Sequence, residues 1–259
     1  MTVYTTGLRP ATLAARLSAG IPQGLTANPL RDLALGTMIL DHLASGFLPT
    51  GSPLWIILRL LGRISMPLMC FFLAEGFYHT SSLRRYALRL LAFAVLSHIP
   101  FAVYFGVDPL RETGVLWGLL MGLLALAVWK QETWSWWKKI PVMAVLAALS
   151  LPADWGYISV VWVLAFGVFR GNRRRQLVRF TLSGLLLYVL PVAGELMQSA
   201  QGWSLYGYRL GFFLAIPLMI SYNGRRAPGR PAARWAVYAV YPVHLALLAA
   251  LRYGLESLF

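Results

Sequence analysis

Charge is scarce in this chain and acidic charge is scarcest: 9 Asp and Glu stand against 23 Lys and Arg among 259 residues, and charged residues make up only 12%. A soluble domain carries about 25% charged residues, so a soluble fold is excluded. Cysteine is almost missing. Cys70 is the sole one, which rules out an intrachain disulfide, and its apolar run marks it as a packing residue. No short-spaced pair of His or Cys ligands occurs, so no metal site is expected. There is no internal repeat, which counts against the commonest transporter architectures. Residues 1–30 hold Arg9, Arg16, prolines and glycines but no apolar core of about 7–15 residues, so no cleavable leader is expected.

What fills the chain instead is apolar. Hydrophobic residues make up 58% and aromatics 14%, and the mean hydropathy is +0.63. These values predict an all-α, polytopic transmembrane helix bundle. A cytoplasmic segment covers 1–30, with Leu8–Leu17 as a short amphipathic helix, and one embedded domain covers 31–259. Nine spans are read at about 32–49, 54–78, 86–107, 113–130, 140–152, 156–170, 177–197, 206–222 and 234–253. The fifth and sixth are short enough to be tilted, broken, or a hairpin that does not fully cross.

Every second loop is basic. Arg84, Arg85 and Arg89 follow the second span, Lys130, Lys138 and Lys139 the fourth, Arg170, Arg173, Arg174 and Arg175 the sixth, and Arg225, Arg226 and Arg230 the eighth. The positive-inside rule then places the N-terminus in the cytoplasm and the C-terminus outside. The same distribution explains the net charge of +14 without a nucleic-acid partner; the expected surroundings are membrane lipids.

Inside the apolar spans a few ionisable groups stand out. Asp41 and His42 lie ten and eleven residues beyond Arg31, or about 15 Å into the bilayer at 1.5 Å per residue. Eleven residues make nearly three turns, so Arg31 and His42 share a helix face. On the predicted topology Arg63, His98 and His244 reach the same depth from three other spans. Buried ionisable groups are costly and mark function by default, with interhelical fastening as the plain alternative. An Asp-His-Arg group suits general-base catalysis: His takes a proton from a nucleophile and Arg balances the developing negative charge. Asp41 either orients His42 or pairs with Arg63, because neighbouring residues on a helix diverge by about 100°. Glu75 lies near the inner end of its span, where Arg31 is the expected ion partner. A proton-coupled or small-molecule carrier, and a non-catalytic assembly partner held by polar fasteners, remain open as rival readings.

Taken in order, Asp41-His42, Gly62-Arg63 with Pro67, Gly76-Phe77, Ile99-Pro100-Phe101, Trp155-Gly156-Tyr157 and Tyr241-Pro242-Val243-His244-Leu245 resemble the TraX family, which includes a pilin acetylase. Arg31-x10-His42 is also similar to the signature of the broader type-3 membrane acyltransferases. The resemblance implies an integral membrane enzyme, in a bacterial inner (plasma) membrane, that moves an acetyl group from acetyl-CoA to an amine or hydroxyl of a peptide, glycan or lipid-linked acceptor. It implies His42, aided by Asp41, as the catalytic base, with Arg31 and Arg63 on the acyl-CoA donor. His98, Tyr157, Tyr241, His244 and Glu75 are the residues expected on the acceptor side.

Overall fold

The computed structural model describes residues 24–225 and 231–256. The expected amphipathic helix at Leu8–Leu17 lies outside the described residues. Within them the chain is helical throughout. In chain order the helices are α1 (Ala27–Phe47), α2 (Pro53–Gly62), α3 (Ser65–His79), α4 (Leu83–Phe105), α5 (Val115–Trp129), α6 (Trp136–Leu149), α7 (Gly156–Val168), α8 (Arg173–Gly184), α9 (Ala193–Gln198), α10 (Ala200–Tyr206), α11 (Ala215–Ser221) and α12 (Pro231–Glu256).

Several of these run on into one another. α2 and α3 form one run over Pro53–His79, α8 and α9 one over Arg173–Gln198, and α10 and α11 one over Ala200–Ser221. Together with α4 these are the four described helices long and apolar enough to cross a membrane; α5 and α7 are shorter apolar helices. α6 and α7 have 14 and 13 residues, short of the roughly 20 needed for a perpendicular crossing.

Proline sets the interruptions. The single span expected over 54–78 breaks at Arg63 and Ile64. Pro67 has no N–H, and its ring collides with the carbonyl four residues back, which is that of Arg63. A π turn over Leu185–Val189 precedes a 3-10 turn containing Pro191, and a 3-10 stretch over Gly207–Leu214 precedes Pro217. Elsewhere side chains start the helices. Ser52 accepts from the backbone N–H of Trp55 at 3.3 Å, Ser82 from that of Arg85 at 3.3 Å, and Asn172 from that of Arg175 at 3.0 Å.

α5 packs on α7, α12 on α4, α1 on α2, and α3 on α7. Trp162, Phe166, Phe180, Phe212 and Phe71 fill the centre as a cluster of edge-to-face and tilted rings. Outward faces remain apolar: Val95, Leu96 and Ile99 on α4 and Val145 on α6 are each more than half exposed. Such faces belong against lipid, and the chain is a membrane protein of helical construction.

Glu75 does not meet Arg31. Arg170 donates from Nε and Nη2 to its two carboxylate oxygens at 3.0 and 3.2 Å, and His79 lies 3.6 Å away. This bidentate pair ties the end of α3 to the end of α7, while the Arg31 guanidinium lies over the Phe72 ring at 5.1 Å. Glu75 is therefore a fastener between helix ends and does not line the cavity described next.

Candidate functional site

The site is built where the break between α2 and α3 meets the middle of α1 and α12. The break turns Arg63 inward, and Arg59 follows it from the same face of α2. Both donate to one oxygen of Asp41: Arg59 Nη1 to Oδ2 at 2.7 Å, and Arg63 Nη2 to the same Oδ2 in a still closer contact. Two guanidinium groups thus share one carboxylate, and the three carry a net charge of one positive unit. Arg63 Nη1 donates to the Tyr188 hydroxyl at 3.1 Å, and its guanidinium lies over the Trp155 ring at 4.8 Å. Arg59 lies over Tyr208 at 4.7 Å.

Gly62 makes this closeness possible. A Cβ there would collide with the Asp41 carboxyl group, so only glycine lets α2 approach α1 at this level. Asp41 Oδ1 and Arg63 Nε are both buried and lack a hydrogen-bond partner among the described residues.

His42 faces the other way, toward α12. Its Nδ1 is 2.7 Å from Nε2 of His244, and Nδ1 of His244 is 2.7 Å from the carbonyl oxygen of Val240. The rings are 7° from coplanar with centroids 4.9 Å apart. With the nitrogens so much closer than the centroids, the rings meet edge to edge through the hydrogen bond. A carbonyl can only accept, so Nδ1 of His244 carries a hydrogen. In a neutral His244 the Nε2 is then bare, and His42 must donate to it from Nδ1. The lone pair of His42 is left on Nε2. Phe105 packs on the His42 ring edge-on at 5.4 Å, and Tyr104 donates to the His42 backbone carbonyl.

Asp41, His42, Arg63, Met38, Met66, Asp154, Trp155 and Tyr241 line one narrow cavity of about 30 Å³. At roughly 10–15 Å³ per water-sized group it holds about two such groups, the size of an acetyl carbonyl and its methyl. His42, Asp41, Arg63 and Tyr241 are thus brought to one place, with His244 directly behind His42. Asp41 does not orient His42; of the two roles open to it, it takes the pairing with arginine.

The other expected residues stand elsewhere. His98 is one step out: its Nδ1 is 3.1 Å from Thr113 Oγ1. Thr113 in turn pairs with the 150–155 turn, its N–H donating to Pro152 at 2.8 Å and its carbonyl accepting from Asp154 N–H at 3.0 Å. His98 therefore braces the loop that presents Asp154. Tyr157 is 37% exposed and outside the cavity, because the turn directs its neighbours Asp154 and Trp155 inward instead. Arg31 and Glu75 do not line the cavity.

Sequence reasoning missed Arg59, Asp154, Trp155 and Tyr188 as site residues. Arg59 had a signal: two arginines four apart in an apolar helix share a face and need a carboxylate. Asp154 is exposed to solvent, yet the protein packed around it raises its carboxyl above the ordinary value, with Arg63 opposing.

The TraX protein family profile matches residues 27–252. The chain belongs to the TraX family. All the cavity residues named here fall inside the matched stretch. A curated TraX-like relative, the "Probable fimbrial assembly protein FimC, serogroup H1" of Dichelobacter nodosus, is 31% identical over 240 residues, spanning 89% of this chain and 97% of its own length. No solved structure matches this TraX chain.

Proposed function

We propose that this TraX protein is a membrane-bound acyltransferase that moves an acetyl group from acetyl-CoA to an amine or hydroxyl of an acceptor. One observation carries the reading: a histidine whose Nε2 lone pair is uncommitted and an arginine whose buried Nε–H lacks a partner line the same acetyl-sized cavity. A base and an uncommitted donor to oxygen are what acyl transfer requires.

His42 Nε2 takes the hydrogen of the acceptor as its nitrogen or oxygen attacks the thioester carbonyl carbon. The carbonyl oxygen becomes negative, and Arg63, held by Asp41 and Tyr188, supplies Nε–H and the surplus positive charge of the cluster. The C–S bond then breaks, and the leaving sulfur takes the proton back. The cavity accepts the thioester end of the donor only, so the nucleotide end lies nearer the inner surface. Arg31 makes no ion pair with a described carboxylate and is the in-membrane group offered to the donor's phosphates.

We read the nine helical runs as nine crossings of a bacterial inner membrane, N-terminus in and C-terminus out, from the alternating loop charge. A periplasmic reporter enzyme fused after Phe259 is expected to be active; activity only of a cytoplasmic reporter there would reverse the orientation. The relative's name makes a fimbrial subunit the first acceptor to try. Purified protein in nanodiscs, given isotopically labelled acetyl-CoA and fimbrial-subunit peptides or cell-surface extracts, is expected to place label on an acceptor. If labelled acetyl-CoA neither binds nor donates, the acyltransferase reading is wrong.

A further inference from the structure

We propose that His244 is a proton-relay partner of His42, so that the proton taken from the acceptor ends, as positive charge, one ring away from the reacting atoms. The chemistry rests on the acyltransferase reading; the hydrogen-bond direction beneath it does not.

Four observations carry it. The two imidazoles are joined nitrogen to nitrogen at 2.7 Å, within the range of a strong hydrogen bond. They are nearly coplanar, at 7°, so the proton and both lone pairs lie in one plane. The far nitrogen of His244 is bound at 2.7 Å to a backbone carbonyl, which can only accept. And both residues are buried, at 6% and 7% exposure, which keeps bulk water from serving as the proton's destination.

His42 has few alternatives. The neighbouring carboxylate, Asp41, gives Oδ2 to Arg59 and Arg63, and its unpartnered Oδ1 makes no hydrogen bond to the His42 ring. Tyr104 uses its hydroxyl hydrogen on the backbone carbonyl of His42. The Tyr241 hydroxyl accepts from the N–H of Val115 at 3.2 Å. Only His244 offers a bare nitrogen to Nδ1.

The acceptor's hydrogen passes to His42 Nε2 while the Nδ1 hydrogen of His42 passes to His244 Nε2. His42 ends neutral with its hydrogen on Nε2. His244 ends as a cation with hydrogens on both nitrogens, one on His42 and one on the Val240 carbonyl. When the C–S bond breaks, both transfers run backward and the sulfur of the leaving thiol receives the proton. His244 never touches substrate; it is a positioning residue that also stores the charge.

Two measurements test this. The first needs no acceptor: nitrogen-15 NMR of histidine-labelled protein in nanodiscs, with His79→Gln and His98→Gln used for assignment. The expected spectrum has hydrogen on Nδ1 and a bare Nε2 at both His42 and His244, the tautomer less common in water. A bare Nδ1 on His42 would reverse the hydrogen bond and overturn the relay, even if transfer is observed. The second compares His244→Gln with His244→Ala in single-turnover transfer in mixtures of light and heavy water. Glutamine can accept from His42 Nδ1 and hold the ring, but it cannot take the proton. The wild type is expected to give a curved dependence, reporting two protons in flight. His244→Gln should give a straight one, with a rate at least about tenfold lower, short of the 10²–10⁴ loss typical of removing a base entirely. Full activity in His244→Gln would reduce His244 to an orienting group and refute the relay. If labelled acetyl-CoA transfers to nothing while the spectrum is as expected, the acyltransferase reading fails and the hydrogen-bond direction stands.

Discussion

His42→Gln is expected to lower acetyl transfer by about 10²–10⁴ while leaving the protein folded and able to bind acetyl-CoA. The reasoning turns on what glutamine keeps. Its amide N–H can still donate to Nε2 of His244, so the α1–α12 fastening that His42 makes survives. Its amide cannot take up a proton at neutral pH, so base catalysis is lost. Single-turnover transfer measured beside equilibrium donor binding separates the two roles. Near-normal transfer by the glutamine variant would make His42 a fastener and remove the base from the proposed mechanism.

Asp41→Ala is expected to act on the fold rather than on a chemical step. Removing this carboxylate leaves the guanidinium groups of Arg59 and Arg63, whose side chains are 15% and 10% exposed, without the ion pair they share at the helix break, with Asp154 as the other carboxylate lining the cavity. Stranding one partner of a buried ion pair costs about 3–5 kcal/mol. Thermal unfolding in detergent should show a large drop in midpoint and a smaller yield of folded protein. Arg59→Met is expected to be far milder, because Arg63 and Asp41 remain as a one-to-one pair. Equal losses from the two substitutions would show that the carboxylate is not the common anchor of the cluster.

The sequence made the helical architecture readable because its signal is coarse and physical. Long apolar runs set the helices, and alternating loop charge and proline mark where runs end. The nine expected spans each coincide with a helical run, at 32–49 against Ala27–Phe47 and at 177–197 against Arg173–Gln198, for example. Depth counting along helices brought His42, Arg63 and His244 to one level. It could not tell which neighbours touch, since depth says nothing of the angle around a helix axis. His98 sits at the expected level but is turned toward Thr113. Asp41 and Glu75 each found an arginine, but pairing depends on which helices are adjacent, and helix order is not written in any local pattern. Tyr157 stood out by its neighbours in the Trp155-Gly156-Tyr157 turn, and the turn itself sends Trp155 inward and Tyr157 out.

The hydrogen bond between His42 and His244 joins residues 202 positions apart, the first described helix to the last. A ribosome releases α1 into the bilayer long before α12 exists, so throughout most of synthesis His42 has no orienting ring and the cavity lacks the Tyr241 wall. The cavity and the ring behind His42 are therefore complete only once the final helix is in place. On the proposed reading, chains truncated before α12 are expected to transfer no acetyl groups, which makes membrane insertion of the last helix the step that completes the site.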